Sequence, residues 1–183
     1  MNRKILYFFC VFLVLILCSC TFDYGDKESF GDDIPDLVMV NVEYVRVRSA
    51  DPLARIQAEL FERYDRQNVM KLQNIVFEQY GERGEEVFVY GKAGNAVVNI
   101  GSGDIIMDMN VNMDVKTEDV MLETRSIEWK DEPRHLFTDE NELVRIYRSN
   151  GTRFSGTGLF INARMRAWDI FYNASGVFIH DDD

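Results

Sequence analysis

Residues 105–115 read IIMDMNVNMDV, and this stretch decides the fold class because apolar and polar side chains alternate along it. From Ile105, the odd-numbered positions are all apolar, and four polar residues lie between them at even-numbered positions. Successive side chains of a β-strand point to opposite faces of the sheet, so a period of two is the signature of a strand with one buried face. The stretch therefore predicts a strand whose odd-numbered residues face a core.

The same period recurs along the chain from Leu37 onward. Alternating runs cover residues 38–44, 54–60, 87–93, 120–124, 143–147, 159–165 and 168–172. Turn signals such as Gly101-Ser102-Gly103-Asp104 and Ser149-Asn150-Gly151 separate them. Residues 54–64 also have a composition that a helix would accept, but their alternation favours a strand. We predict one all-β domain over residues 36–178, a sandwich or jelly-roll built of antiparallel hairpins.

Composition and charge exclude several function classes. The chain has 183 residues, of which 46% are hydrophobic, which is incompatible with a disordered protein. Its 31 acidic and 20 basic residues give a net charge of −11, so we expect no nucleic-acid partner, since such partners select a basic face.

The residues that could support catalysis are few. The two histidines are His135, in a Pro-Arg-His turn, and His180, in a polar tail, and neither has a nucleophile motif nearby. Carboxylate pairs such as Glu85-Glu86 lie in turns, where solvated charges are usual. No zinc spacing, phosphate-binding loop or dinucleotide fingerprint is present. We therefore predict no catalytic residues, no metal site, no cofactor and no enzymatic activity.

The N-terminal sequence MNRKILYFFCVFLVLILCSC indicates export to the membrane. Two basic residues precede a run without charge that ends at Cys20, and this run is short for a membrane-spanning helix but typical of a signal peptide. Leu17-Cys18-Ser19-Cys20 is similar to a bacterial lipobox, which predicts a leader over residues 1–19 and lipidation of Cys20. The alternative is an uncleaved anchor that crosses the membrane once. Residues 20–35 are predicted to be a flexible tether and residues 179–183 a polar tail.

The interior of the predicted domain allows two interpretations. Small residues such as Ala58, Gly91 and Ala96 are interspersed among large ones, and Met107, Met109 and Met113 form a soft apolar stripe. Methionine adapts to irregular apolar partners, including acyl chains. The same side chains would also fill a closed core.

Four stretches together resemble the LptC family, the membrane-anchored component of lipopolysaccharide export. They are LARIQAELFERYDRQNVMKLQNIVFEQY (53–80), VYGKAGNAVVNIGSGDIIMDMNVNM (89–113), LETRSIEWKDEPRHLFTDENELVRI (122–146) and NGTRFSGTGLFIN (150–162). The order and spacing of these stretches carry the resemblance, which covers residues 35–178. The chain departs from the family at Asn110-Val111, where glycine is usual, and in its lipobox, since the usual family anchor is a transmembrane helix.

The resemblance implies a single twisted, open β-jelly-roll at the periplasmic face of the inner membrane. Such a protein accepts lipopolysaccharide or a related glycolipid from an inner-membrane ABC transporter and passes it to a bridge protein of the LptA type. The residues expected to line the apolar interior are Ile56, Val76, Val89, Met107, Met109, Val111, Leu159 and Ile161. The residues expected at the edges that meet the partners are Val40, Val42, Gly151, Thr152, Phe154 and Gly158. The alternative function is that of a structural surface lipoprotein with a closed β-sandwich and no lipid cargo.

Overall fold

The computed structural model describes residues 34–81, 84–164 and 167–179, together with the side chains in these ranges except those of residues 167 and 168. The predicted leader, nearly all of the predicted tether and residues 180–183 of the predicted tail lie outside the described residues. The expectations for those segments, including lipidation of Cys20, therefore stay predictions.

The described chain is all-β, as the alternation predicts. The strands are β1 (Leu37–Arg48), β2 (Asp51–Tyr64), β3 (Val69–Tyr80), β4 (Val87–Asn99), β5 (Ile105–Val115), β6 (Val120–Lys130), β7 (His135–Phe137), β8 (Leu143–Tyr147), β9 (Arg153–Asn162) and β10 (Ala167–Val177). A short 3-10 turn, Lys116–Glu118, joins β5 to β6. Residues 54–64 belong to a strand, which settles the choice between strand and helix. The last strand is longer than the predicted residues 168–172.

All ten strands form one antiparallel sheet in which neighbours in sequence are mostly neighbours in space. Its order is β1-β2-β3-β4-β5-β6-β7-β9-β10, and β8 also pairs with β6 and β9. Strands β7 and β8 therefore both lie between β6 and β9, at successive positions along them, and residues 138–142 form the break between β7 and β8. Strand β1 pairs with β2 and β10 pairs with β9, so these two strands end the sheet.

A line of irregular positions, here called the crease, crosses the sheet. On β5, Met109 and Asn110 both have positive φ, and the register with β6 shifts between Asp108 and Val111. Further positive φ angles lie at Asn41 on β1, Asn74 on β3, Gly158 on β9 and Asn173 on β10. Asparagine and glycine accept this left-handed conformation more readily than other residues, and such bulges bend a strand. The strands therefore bend at a common level.

The buried face confirms the bend, because the spacing of buried residues changes at the crease. On β4, Gly91 and Ala93 are buried before it and Ala96 after it, so the buried positions change from odd to even. On β3 the same change separates Leu72 from Ile75. The crease divides the sheet into two half-sheets, represented on β4 by residues 87–93 (the first half-sheet) and 95–99 (the second half-sheet).

Both half-sheets contribute to one hydrophobic core, which gives the jelly-roll-like architecture that the sequence predicts. The buried core residues are Ala58, Leu72, Ile75, Ala93, Ala96, Met107, Val111, Leu122, Ile127, Val144, Ile146 and Leu159. They come from β2 to β6, β8 and β9. A single sheet thus packs against itself across the crease.

Ion pairs at the turns predict how stability responds to acid. Asp104, in the turn after β4, accepts hydrogen bonds from Lys130 Nζ at 3.1 Å and from the Asp131 backbone N–H at 3.1 Å. The hydrogen bond from Lys130, followed by that from Asp131, lowers the pKa of Asp104 below 3.8. As the pH falls, the Asp104 carboxylate is therefore protonated in the unfolded chain before it is protonated in the folded chain. The free energy of unfolding decreases from about pH 4 down to the lower pKa of the folded state.

We expect Asp104→Asn to flatten this loss of stability below pH 4, since the variant has no carboxylate to protonate. Urea unfolding between pH 3 and pH 6 measures the effect. Glu118→Gln, which changes an exposed carboxylate, serves as the control and should keep the wild-type slope. Equal slopes for Asp104→Asn and wild type would contradict the prediction.

Candidate functional site

The interior between the half-sheets is lined by the buried apolar side chains of the core. At its centre, Val111, Ile127, Val144 and Leu159 are each 0% exposed. Toward one end, the second half-sheet adds half-buried Met70, Val98, Ile105, Leu136 and Ile161, which pack against the core. The interior is thus filled at its middle and only partly covered toward this end.

Aromatic rings in the interior lie over glycines on neighbouring strands. A Cβ atom at Gly91 would lie 2.1 Å from the Phe77 ring, and one at Gly176 would lie 2.5 Å from the Phe154 ring. Neither distance is compatible with a side chain at the glycine position. The small residues therefore create the space that the aromatic rings occupy.

The two end strands expose apolar side chains next to unpaired backbone. On β1, Val38, Val40, Tyr44 and Val47 are all at least half exposed. At the other end of the sheet the exposed apolar residues are Phe171, Tyr172, Val177, Phe178 and Ile179. A sheet edge of this kind can accept a further strand from another chain.

The end of β10 is fixed by the turn between β8 and β9. The Ile179 backbone N–H donates to Thr152 Oγ1 at 3.0 Å, and the Ile179 carbonyl accepts from Asn150 Nδ2 at 3.2 Å. Thr152 is only 1% exposed. These hydrogen bonds hold Ile179, the residue at which the sequence predicts the polar tail to begin, against the sheet.

Comparison with known proteins assigns the chain to a family. The family described as "Lipopolysaccharide-assembly, LptC-related" matches residues 10–178. The chain belongs to the LptC family. A protein of Treponema pallidum (strain Nichols), described as "Uncharacterized protein", is 26% identical over 174 residues, which cover 94% of this chain and 85% of that protein.

Membership of the LptC family supports a role in lipopolysaccharide export at the periplasmic side of the inner membrane. The family is a lipid-transport component and not a family of enzymes. Within residues 34–81, 84–164 and 167–179, no helix is long and apolar enough to cross a membrane. Across the same ranges, no three or more histidine, cysteine, aspartate or glutamate side chains gather where they could hold a metal ion.

Most of the predicted lining residues of this LptC-family protein lie on the interior face. Met107, Val111 and Leu159 belong to the buried core, and Ile56 and Ile161 pack against it. Val89 lies two residues before buried Gly91 on β4, so it points to the same face near the end of the interior.

Met109 departs from the regular alternation that the sequence predicts for residues 105–115. Its side chain is 58% exposed, whereas Met107 and Val111 on the same strand are buried. The cause is the bulge at the crease, where Met109 has a φ of 63° and its Sδ accepts a hydrogen bond from Asn95 Nδ2 at 3.0 Å. The structure therefore places Met109 at the bend and not in the core.

Val76 also lies away from the core. Its neighbours Ile75 and Phe77 both face the core, and Val76 pairs with Gln57 and Lys92 in the ladders on either side. The backbone bends at Asn74, so the buried positions of β3 are even-numbered on one side of the bend and odd-numbered on the other. Val76 is consequently on the outer face.

The predicted partner edges need one correction. Val40 is exposed on the end strand β1, as expected, and Val42 beside it is half-buried against the core. Phe154 and Gly158, however, lie on β9, and Gly151 and Thr152 lie in the turn before it. Strand β10 covers β9 with a ladder from Ala167 to Val177, so β10 forms this edge of the sheet.

The sequence reasoning also missed interior residues. Ile127 and Val144 are completely buried, and Phe77 and Phe154 place aromatic rings against the core. A signal for the rings was present, because each faces a glycine on the next strand. The glycines could not be matched to the rings without the strand register.

Proposed function

We propose that this protein is tethered to the membrane through lipid on Cys20 and receives lipopolysaccharide or a related glycolipid from an inner-membrane ABC transporter. It then passes the glycolipid to a periplasmic bridge protein of the LptA type. The observation that supports this proposal is the apolar interior shared by two half-sheets, inside a sheet whose two end strands, β1 and β10, each pair with one neighbour and leave their other edge open in the described chain. Family membership supports the pathway.

The interior suits acyl chains because it offers apolar contact without a fixed polar pattern. Met107, Val111 and Leu159 are aliphatic or thioether side chains at its centre, and Ile56, Val89 and Ile161 extend the apolar surface outward. Methionine contacts adapt to flexible partners. Many weak contacts of this kind hold a lipid and still allow it to leave.

The charge of the protein favours recognition of the acyl chains over the head group. The net charge of −11 opposes an anionic head group, so electrostatic attraction does not supply the affinity. Burial of the chains contributes about 0.8 kcal/mol for each CH₂ group. We propose that the head group stays in water while the chains occupy the interior.

The two edges suit two different partners. In the proposed arrangement, β1 with exposed Val40 meets the transporter and β10 meets the bridge protein. Backbone hydrogen bonds from an added strand supply affinity, and exposed side chains such as Tyr44 and Tyr172 supply specificity.

A second candidate function is that of a structural lipoprotein with a closed core. The complete burial of Val111, Ile127, Val144 and Leu159 favours it, because these side chains fill the middle of the interior. This candidate requires that no lipid occupies the interior in cells.

Photo-crosslinking in cells separates the two functions. We expect benzoylphenylalanine in place of Phe77 to form adducts with glycolipid, because this ring lies in the interior over Gly91. The same group in place of Phe88 is the matched control, since Phe88 lies on the outer face of the neighbouring strand. Adducts at residue 77 should increase when the transporter hydrolyses ATP.

Phe154 provides a second interior position in case the Phe77 variant does not fold. Lipid adducts at residues 77 and 154 but not at residue 88 would support transport. If folded variants at 77 and 154 gave no lipid adduct while the export system was active, the closed structural lipoprotein would be the better description.

A further inference from the structure

Residues 138–142 join β7 to β8 at the crease and are bonded to the strands on both sides. On the β9 side, the Leu159 backbone N–H donates to Thr138 Oγ1 at 2.8 Å, and the Gly158 backbone N–H donates to the Glu142 carbonyl at 3.1 Å. On the β6 side, the contact is made by the Glu142 side chain. This loop therefore connects three positions of the sheet at the level of the bend.

The Glu142 carboxylate is buried and takes three hydrogen bonds from Arg125. Arg125 Nη2 and Nε donate to Glu142 Oε2 at 2.9 and 3.2 Å, and the Arg125 backbone N–H donates to Oε1 at 3.3 Å. The Glu142 side chain is 8% exposed and that of Arg125 is 80% exposed. Loss of the Arg125 guanidinium would leave a buried carboxylate without its cation, which is strongly unfavourable.

Arg125 lies on β6 at the crease itself. The ladder between β5 and β6 pairs Asp108 with Ser126 and Val111 with Thr124, so Arg125 stands opposite the two left-handed residues of β5. The ion pair thus fixes the start of β8 to the exact strand segment that bends. The ion pair therefore lies where the two half-sheets meet.

The filled centre of the interior means that lipid uptake requires a change of shape. Close-packed side chains such as Ile127 and Leu159 leave no space for an acyl chain between them. Bending at the crease disturbs few ladder bonds, because the registers on either side of it are already interrupted between Lys92 and Asn95 and between Asp108 and Val111. Separation of the half-sheets about the crease is the movement that the sheet resists least.

We propose that the half-sheets part about the crease when lipid enters, and that Arg125 and Glu142 are positioning residues that hold the narrow, lipid-free angle. This inference rests on the proposed transport function. It predicts that weakening the ion pair widens the angle before any lipid is bound.

The distance between the two ends of β5 reports the angle. Spin labels at Ser102 and Glu118, attached through p-acetylphenylalanine so that Cys20 is untouched, measure it by pulsed electron resonance in the full-length protein. Labels at Glu118 and Ser149 form the control pair, because Ser149 donates two hydrogen bonds to Asp119, which places the turns after β5 and after β8 side by side. Lipopolysaccharide in detergent micelles is the added ligand.

We expect lipopolysaccharide to shift the 102–118 distance of the wild type to a longer value and to leave the 118–149 distance unchanged. Arg125→Gln should show the longer 102–118 distance without ligand. Arg125→Lys keeps the charge but loses the paired hydrogen bonds from Nε and Nη2, so its distance should lie between those of the wild type and Arg125→Gln. Arg145→Gln, an exposed arginine on β8, is the matched control and should behave as the wild type. Circular dichroism establishes that each variant is folded.

An unchanged 102–118 distance in folded Arg125→Gln would overturn the role of the ion pair. Suppose that benzoylphenylalanine at residue 77 formed lipid adducts, but lipopolysaccharide did not lengthen the 102–118 distance in protein with the wild-type ion pair. The proposed movement about the crease would then be wrong, and the transport function would stand. Absence of adducts at Phe77 and Phe154 would instead remove the transport function itself. If Arg125→Gln did not fold, a wild-type distance in Arg125→Lys would count against the inference.

Discussion

Met107→Ala is expected to lower the free energy of unfolding by about 2–5 kcal/mol, whereas Met109→Ala should change it by less than about 0.5 kcal/mol. Met107 is 7% exposed and belongs to the core, and its truncation leaves a cavity between the half-sheets. Met109 is 58% exposed at the crease, so little apolar contact is lost with its side chain. Alanine has no better access to positive φ than methionine, so the backbone at residue 109 contributes little to the difference.

Urea unfolding followed by circular dichroism measures both variants under the same conditions. The two substitutions remove the same atoms from the same strand, so the difference between them reports burial, apart from the hydrogen bond that Met109 Sδ accepts from Asn95 Nδ2. Similar losses in both variants would show that Met109 packs in the core and that the strand alternates without a bulge.

Cys20→Ser is expected to abolish the incorporation of fatty acid into this protein, and Cys18→Ser is expected to leave it intact. Lipidation requires the thiol of the cysteine that follows the cleavage site, and Cys20 holds that position in the predicted lipobox. Each buried CH₂ contributes about 0.8 kcal/mol to membrane binding, so loss of two or three acyl chains removes a stable anchor. An alkyne-bearing fatty acid supplied to growing cells measures the incorporation.

Mass spectrometry of the purified wild-type protein provides the complementary observation. A mature chain that begins at an acylated Cys20 would agree with the prediction. Fatty acid on Cys18, or an unmodified chain that retains residues 1–19, would contradict lipidation at Cys20, and the uncleaved anchor would then be the better description.

Most of the strands could be predicted from alternation, because one face of each is buried and the period of two survives over short stretches, whereas β3 and β7 carry no predicted alternating run. Residues 54–64 form a strand for this reason, in spite of a composition that a helix would accept. The turns at Ser102-Gly103 and Asn150-Gly151 also lie where glycine and asparagine predict them.

The crease could not be predicted from alternation, because it changes which residues face the core in the middle of each strand. Val76 and Met109 lie outside the core for that reason. A signal was present in the asparagines within strands, since Asn41, Asn74 and Asn110 all adopt left-handed φ values. Only the register of the neighbouring strands shows that these positions lie on one line.

The ion pair between Arg125 and Glu142 had no signal in the sequence. The two residues are far apart along the chain, and each stands among other charged side chains. Their pairing follows from the interruption between β7 and β8, which places Glu142 beside β6. The edge at β10 differs from the prediction because residues 173–177 lack a clear alternation, so the sequence predicts a last strand that ends at Tyr172.

The order of strands in the sheet also has a consequence for how the protein folds. From β1 to β6, each new strand pairs with the strand made just before it; among the later strands, β8 reaches back past β7 to β6, and β9 reaches back past β8 to β7. Most contacts in this meander join strands that are consecutive in the chain, so each new pairing closes only a short loop. A chain that leaves the ribosome or a translocation pore from its N-terminus can therefore add its strands one at a time, in the order in which they appear, without waiting for its last residue.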